Sequence, residues 1–253
     1  MKSLCVFVQA VLLLCLSVVA LGAPDLKVVM VQVLHRHGAR AAETSYNMTQ
    51  ICGSTPCGYL SWAGIEMLNN TGIFLRSRYN DDTTVVSEPM FPSKDYDLDI
   101  AYSRSTDVLR TLQSAEAFLR GFFPNLSALF PAVHTVHEED DFLLYPNYAP
   151  QYEIFYNIDK PRVRSVCNPV TDKNFPDFKK LTEIGKEVYS ERYCSDYETR
   201  SDCARKLFDI AAAMDSVGEL DPYPLLKKNK DALGESARVL FEKEYAYNRS
   251  DVR

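Results

Sequence analysis

A largely apolar run at Val28–Leu34 ends abruptly in the sequence His-Arg-His-Gly-Ala-Arg at 35–40, and this boundary constrains the fold more than any other feature. An apolar run of this length that is rich in valine is typical of a strand buried on both faces of a parallel sheet. Ligands of open α/β sheets bind in the crevice beyond the carboxyl ends of such strands. The sequence therefore predicts that two histidines and two arginines reach a binding site, where Gly38 permits a sharp turn.

The side chains of this segment suit phosphate chemistry. Arg36 and Arg40 present planar forks of N–H donors that fit a phosphate or a carboxylate. His37 lies between them and can be a nucleophile or a general acid or base. Neighbouring cations are expected to lower the pKa of His37, whereas a bound phosphate dianion would raise it. The residue types indicate phosphoryl transfer through a phosphohistidine, and they leave open a basic loop whose arginines pair with carboxylates.

The segment Leu34–Arg40 resembles the signature of the histidine acid phosphatases, R-H-G-x-R-x-P. The resemblance implies that His37 is the nucleophile, that Arg36 and Arg40 bind the phosphoryl group, and that no metal or organic cofactor is needed. The sequence departs from the pattern at Ala42, which stands in place of proline. Because this change removes a backbone constraint but no chemical group, we expect looser positioning and the same mechanism.

A second segment, Asp99–Asp107, resembles the second strand of the same family and its R-S-T-D turn, which implies that Arg104 completes the phosphate pocket. A surface salt bridge is the alternative role for this arginine. Ser105 or Thr106 is expected to cap a helix that ends at Pro124 and directs free N–H groups toward the anion. The apolar stripe of that helix has helical spacing and comprises Val108, Leu112, Ala115, Leu119 and Phe122.

The order of the elements favours an α/β fold, with a mostly parallel sheet flanked by helices and, as the family implies, an inserted, mainly helical cap. We assign residues 1–22 to a signal peptide, 23–137 to the N-terminal part of the α/β phosphatase core and 138–253 to the cap region. Periodicity and turn residues predict a helix at Ser61–Tyr79 that Gly72 weakens, a strand at Ala132–Val136, and helices at Leu181–Tyr193, Cys203–Met214 and Leu225–Glu244.

The N-terminal segment indicates export. Lys2 precedes an apolar core at Leu4–Leu21, and small residues near Ala20 and Gly22 form a cleavage site. The core is nearly long enough to span a bilayer, so an uncleaved anchor is the alternative. We expect the protein to enter the secretory pathway and to be secreted, lysosomal or endosomal, or membrane-attached. Attachment would use the N-terminal segment or a C-terminal anchor outside this sequence.

Cysteines and glycosylation sequons agree with export. Beyond the targeting segment, Cys52 is expected to pair with Cys57 and Cys194 with Cys203, which leaves Cys167 outside both pairs. Zinc ligation by Cys52 and Cys57 is the alternative, which an oxidising compartment disfavours. Candidate N-glycosylation sites, expected at the surface, are Asn47, Asn69, Asn125 and Asn248.

Charge and histidine content limit the partners. A formal net charge of −6 without a basic cluster argues against a nucleic-acid partner and leaves a small phosphate ester as the predicted substrate. His134 and His137 have a spacing that suits metal binding poorly, so a packed or surface role is favoured for them.

The second catalytic motif of the resembled family, a His-Asp pair whose aspartate protonates the leaving alcohol, has no counterpart. None of the four histidines is followed by aspartate, so the proton donor is not identified. Since the resemblance omits the returning strands of the core, we expect an N-terminal fragment with an incomplete core. Its activity should be feeble, because general acid catalysis contributes roughly 10²–10⁴-fold.

Two other functions stay open. The first is a catalytically silent, phosphatase-like protein that binds phosphorylated ligands or a partner through Arg36, Arg40 and Arg104. The second is a phosphate-transferring mutase, which the export signal disfavours.

Overall fold

The structure is a computed structural model that describes residues 27–43, 51–125, 130–189, 194 and 197–245. The chain divides into two compact units, Met1–Leu34 with Arg76–Pro92 and His35–Leu75 with Ser93–Arg253. Within the described ranges, the α-helices are α1 (Trp62–Asn80), α2 (Leu109–Phe122), α3 (Tyr152–Asn174), α4 (Phe178–Val188), α5 (Arg200–Asp215) and α6 (Pro224–Tyr245), with a 3₁₀ turn at Pro146–Tyr148.

In the first unit, Val28–Leu34 has no regular secondary structure, and no strand hydrogen bond joins it to another described residue. Val29 is 83% exposed and Leu34 is 90% exposed, so the expectation of a strand buried on both faces is wrong for this segment. A parallel strand is buried only where neighbouring strands and helices cover it, and such partners are remote in sequence. Elsewhere in this unit, the Asn80 amide exchanges two hydrogen bonds, of 2.7 and 2.8 Å, with the backbone of Phe91.

In the second unit, helices α1 and α2 approach closely at two glycines. A Cβ atom on Gly72 would lie 2.1 Å from the carbonyl oxygen of Phe118, and one on Gly121 would lie 2.0 Å from that of Asn69. Gly72 is therefore the residue that lets the two backbones meet, rather than only the weak point that its helix propensity predicts. The helix predicted at Ser61–Tyr79 is found at Trp62–Asn80.

The predicted stripe of α2 is largely confirmed, because Ala115, Leu119 and Phe122 are buried. The predicted cap is wrong: the helix begins after Val108, and no side chain caps it. Thr106 instead exchanges a 2.8 Å hydrogen bond with the hydroxyl of Thr111, which also donates to the carbonyl oxygen of Val108 at 2.7 Å. This alternative bonding within the first turn takes the side chain away from capping.

Arg104 and His134 form one parallel β-bridge. The backbone N–H of Ser105 donates to the His134 carbonyl, and the N–H of His134 donates to the Ser103 carbonyl, each at 2.9 Å. The direction agrees with a parallel sheet, but every bridge among the described residues is an isolated pair. The predicted mostly parallel sheet is therefore not confirmed.

The region 138–245 is mainly helical where the structure describes it, and α4, α5 and α6 form its main core. The predicted stripe of α5, formed by Leu207, Ile210, Ala211 and Met214, is buried as expected. Other buried members are Leu181, Ile184, Val188, Leu226 and Leu233. Asp177 caps α4 by accepting from the N–H groups of Lys179 and Lys180, while Glu187 accepts from two N–H groups at the start of α6.

Helix α3 is not among the helices predicted from the sequence, and Pro161 and Pro169 lie inside it. An internal proline removes a backbone donor and clashes with the preceding turn. Val163 and Cys167 are nevertheless buried against Val239 and Leu240 of α6. Tertiary packing therefore outweighs local helix propensity here.

The cysteines pair as predicted in the structure: Cys52 is bonded to Cys57 and Cys194 to Cys203, while Cys167 is a buried thiol. Of the sequons, Asn69 lies half-buried on α1, and the side chain of Asn125 donates to Asp95 at an exposed position. The signal peptide at 1–22, Asn47 and Asn248 lie outside the described residues. None of the helices in the described ranges combines the length and hydropathy that crossing a bilayer requires.

Candidate active site

The loop around His37 is held by the beginning of α1 and by α2. The N–H of Gly38 donates to the buried hydroxyl of Ser114 at 3.1 Å, and the carbonyl of Ala39 accepts from the N–H and hydroxyl of Ser61, each at 2.9 Å. A Cβ atom on Gly38 would lie 2.4 Å from the carbonyl oxygen of Gly64. The glycine predicted for a sharp turn is thus also required by close packing.

Backbone hydrogen bonds hold the residue that departs from the family pattern. The carbonyl of Ala42 accepts from the N–H of Gly58 at 2.9 Å, and the N–H of Ala41 donates to the carbonyl of Tyr59 at 3.0 Å. Ala42 is fully buried. These contacts supply a constraint on the backbone that proline would otherwise provide through its fixed φ.

The imidazole of His37 is half-buried, and its Nδ1 lies 2.8 Å from the carbonyl oxygen of Gly38. A carbonyl oxygen only accepts, so Nδ1 must carry the hydrogen. In the neutral ring, Nε2 is then the nitrogen with the available lone pair. This bond therefore selects the tautomer that a nucleophilic histidine with a reactive Nε2 requires.

Burial is the largest cause that lowers the pKa of His37 below its ordinary value of 6.5. The hydrogen bond to Gly38 opposes this shift, and the positive charges of Arg36, Arg40 and Arg110 add to it. The predicted effect of neighbouring cations is thus present but secondary. Because this pKa is lowered, a larger fraction of the imidazole is neutral at a given acidic pH than in an ordinary histidine. The neutral imidazole is the nucleophilic form.

Arg40 is buried and paired with a carboxylate from the helical region. Its Nη2 donates to Oδ1 of Asp209 at 2.9 Å, and its Nη1 donates to Oδ2 of Asp209 at 3.3 Å and to the Ala41 carbonyl at 2.9 Å. Its Nε is buried and has no acceptor among the described residues. The Nη atoms therefore pair with a carboxylate, as the alternative role of a basic loop predicts. The N–H of Nε stays available to another acceptor.

Arg110, which the sequence motifs do not predict, is one of the three arginines whose charge acts on His37. It lies in the first turn of α2, and its Nη2 is 2.6 Å from Oε1 of Glu43. A cation in the first turn opposes the helix dipole, so this placement disfavours the helix slightly. This local conflict does not itself indicate a site, because the approach of Arg110 to His37 depends on the packing of α2 against the motif loop.

Arg36 and Arg104 differ in their surroundings. Arg36 is exposed and forms no ion pair with a residue in the described ranges. The Nη2 of Arg104 donates to Oδ1 of Asp141 at 2.5 Å, and the side chain of Asp141 is completely buried. Arg104 is not among the charges that lower the pKa of His37. Its predicted role in binding phosphate stays a prediction, for which the geometry offers less support than it does for Arg110.

Two of the other histidines, His35 and His134, pack against aromatic rings. His35 stacks on Phe118 with ring centroids 5.3 Å apart, and His134 stacks on Tyr102 at 4.9 Å. The ring contact of His134 agrees with the packed role favoured by the sequence. Among the residues that the structure describes, no group of three or more His, Cys, Asp or Glu side chains is arranged to hold a metal ion.

The hydrogen bond of His37 to Gly38 leaves Nε2 as the nucleophilic nitrogen, and the charges of Arg36, Arg40 and Arg110 lower the pKa of this imidazole. Together they define a candidate site for a phosphate group beside a nucleophilic histidine. The sequence model of the Histidine phosphatase superfamily (branch 2) matches residues 27–216. The chain belongs to this superfamily.

Curated relatives and solved structures agree with this assignment. Testicular acid phosphatase of Homo sapiens is 36% identical over 146 residues, which cover 53% of this chain and 32% of that protein. Lysosomal acid phosphatase of Xenopus laevis is 33% identical over 126 residues, covering 45% and 27% of the two chains. The structure of a phytase from Klebsiella sp. ASR1 matches with a TM-score of 0.52 at 14% identity, covering 78% of this chain and 57% of the phytase. The matched part of the chain spans about a third of the length of the testicular acid phosphatases of Homo sapiens and Mus musculus.

Proposed function

We propose that the protein is an acid phosphatase that hydrolyses phosphate monoesters, with His37 as the nucleophile. The observation that carries this proposal is the bond from Nδ1–H of His37 to the Gly38 carbonyl, which leaves the lone pair of Nε2 for phosphorus. Arg36, Arg40 and Arg110 supply the positive charge that the equatorial phosphoryl oxygens require.

The reaction has two steps. In the first, Nε2 of His37 attacks phosphorus, the bond from phosphorus to the ester oxygen breaks, and the leaving group departs with the electron pair. In the second, a water oxygen attacks phosphorus, the P–N bond breaks with its electron pair returning to Nε2, and inorganic phosphate is released. The attacking water gives a proton to solvent, and the alkoxide or phenolate that left in the first step takes one from solvent. Burial lowers the pKa of His37, so a larger fraction of its imidazole is neutral for the first step at a given acidic pH than in a solvated histidine.

Within these 253 residues none of the four histidines precedes an aspartate, so we assign no proton donor for the leaving group of a reaction run by this chain alone. Turnover should therefore depend steeply on the acidity of the leaving alcohol or phenol. The names of the relatives, testicular and lysosomal acid phosphatases, support the phosphomonoester class. The lysosomal relative and the apolar N-terminal segment support entry into the secretory pathway, where the candidate glycosylation sites are Asn47, Asn69, Asn125 and Asn248.

The direct test is phosphate release by the purified chain from two aryl esters, 2,4-dinitrophenyl phosphate and phenyl phosphate. We expect measurable, faster release from the dinitrophenyl ester. His37→Ala should lower this rate by about 10²-fold or more. His35→Ala is the matched control, because His35 is an exposed imidazole in the same segment. A rate that survives His37→Ala contradicts the proposal.

A catalytically silent, phosphate-binding protein is the second candidate. The observation that favours it is that none of the four histidines in these 253 residues precedes an aspartate that could protonate a leaving group. Binding of inorganic phosphate by the wild-type chain, with no release from either ester, would support this candidate instead.

A further inference from the structure

Glu43 lies where its carboxylate joins two arginines of the proposed phosphate site. Its Oε1 is 2.6 Å from Nη2 of Arg110 and 3.8 Å from Nη2 of Arg40. The side chain of Glu43 is 41% exposed, whereas those of Arg110 and Arg40 are 22% and 8% exposed. A partly solvated carboxylate thus contacts the same N–H groups that a phosphoryl oxygen would use.

The two carboxylates around Arg40 have different geometry. Asp209 binds Arg40 through both of its oxygens and both Nη atoms of the guanidinium. Glu43 approaches Arg40 only at 3.8 Å and makes its short contact with Arg110. Loss of the Glu43 charge would therefore leave Arg40 paired with Asp209, while it would release the Nη2 of Arg110.

We propose that the carboxylate of Glu43 competes with the phosphate group for Arg110 and Arg40, so that it sets the affinity of the site for phosphate. This inference rests on the proposed function of the same site. A phosphate group and the Glu43 carboxylate are both anions that need the N–H donors of Arg110 and Arg40. Two anions bound to the same guanidiniums lie close together and repel each other. Binding of phosphate accordingly requires that the Glu43 carboxylate move from Arg110 toward solvent, which its exposure permits.

The test is isothermal titration of inorganic phosphate into the full chain at neutral pH. Glu43→Gln keeps the shape of the side chain and removes its charge. We expect the Kd to fall by about tenfold, which corresponds to about 1.4 kcal/mol. Glu43→Ala should act in the same direction. Glu242→Gln is the matched control, because Glu242 also pairs with an arginine, Arg238, on an exposed surface.

The outcomes separate this inference from the proposed function. If Glu43 only positions Arg110, both substitutions will weaken phosphate binding, and the inference is overturned. If the wild type binds phosphate and both Glu43 variants bind it with the same Kd, the inference is also overturned, but the proposed function survives. Failure of the wild type and of both Glu43 variants to bind phosphate overturns the inference and the phosphate site together.

Discussion

Arg40 and Asp209 are 169 residues apart in sequence, yet two hydrogen bonds of 2.9 and 3.3 Å join their side chains. Arg40 belongs to the histidine motif, and Asp209 lies on α5 in the helical region. The guanidinium is 8% exposed, so the carboxylate compensates a positive charge that water hardly reaches. The helical region therefore stabilises the motif directly.

Asp209→Asn should lower the free energy of unfolding by about 1–3 kcal/mol, because it removes the one carboxylate that is hydrogen-bonded to the buried guanidinium among the described residues. Asp172→Asn is the matched control. It disrupts a similar pair with Arg200, but that guanidinium is 29% exposed, and the loss should be below about 1 kcal/mol. Urea denaturation of both variants measures the difference, and equal losses would contradict the role assigned to Asp209.

Substitution by glutamine should mainly lower stability at Arg104 and mainly lower phosphate affinity at Arg110. Arg104→Gln leaves the buried Asp141 unpaired and should lower the free energy of unfolding by about 3–5 kcal/mol, with little change in phosphate affinity of the folded chain. Arg110→Gln should weaken phosphate binding by about tenfold, the loss of one charged contact, at a smaller loss of stability.

Urea denaturation and phosphate titration of both variants check this prediction. Arg104→Lys, which keeps the charge, serves where Arg104→Gln does not fold. Loss of phosphate binding in a folded Arg104 variant, with binding retained in Arg110→Gln, would contradict this prediction and support the phosphate-binding role that the R-S-T-D motif predicts for Arg104.

Gly72→Ala should destabilise the protein by about 1–3 kcal/mol, because its Cβ would lie 2.1 Å from the Phe118 carbonyl oxygen and force α1 away from α2. The better helix propensity of alanine, worth up to about 1 kcal/mol, opposes this effect. Asn70→Ala changes an exposed position two residues earlier and should be nearly neutral. A Gly72→Ala variant as stable as Asn70→Ala would show that the two helices do not meet there.

The pKa of His37 should lie below 6.5 in an NMR titration. Arg110→Gln should raise this pKa only in part, because burial remains the larger cause. Arg120→Gln, at an exposed position in the last turn of α2, should leave it unchanged. A midpoint at or above 6.5 in the wild type would contradict the half-buried placement of the ring.

The lowered pKa of His37 also affects stability. On acidification below pH 6.5, the unfolded chain binds a proton at this histidine before the folded chain does. This residue therefore makes the folded state less stable as the pH falls toward its folded pKa. His37→Ala should remove that part of the pH dependence in denaturation curves, and an unaltered dependence would contradict the shift.

The proximity of His37, Arg36 and Arg40 was predictable because the three residues lie within five positions of one another. Arg110 was not, since its approach to His37 depends on the packing of α2 against the motif loop, which Ser114 mediates. The ion pairs with Asp209 and Asp141 also bring together residues that are remote in sequence. Local patterns contain no information about such partners.

Helix prediction succeeded where periodicity was strong, as in the buried stripe of α5. It failed at α3, because packing against α6 outweighs Pro161 and Pro169. The apolar run Val28–Leu34 predicts a buried strand, but burial of a parallel strand depends on partners far away in the sequence. Leu34, at the end of this run, is 90% exposed, so the prediction of burial failed there.

Nucleophilic catalysis by His37 requires that its Nε2 form a covalent bond to phosphorus. Brief reaction of the full chain with 2,4-dinitrophenyl phosphate, followed by an alkaline quench and mass spectrometry, measures phosphohistidine directly. We expect phosphate on His37 in the wild type and in His35→Ala, and none in His37→Ala. Phosphate on another residue, or ester hydrolysis without any phosphorylated His37, would contradict it.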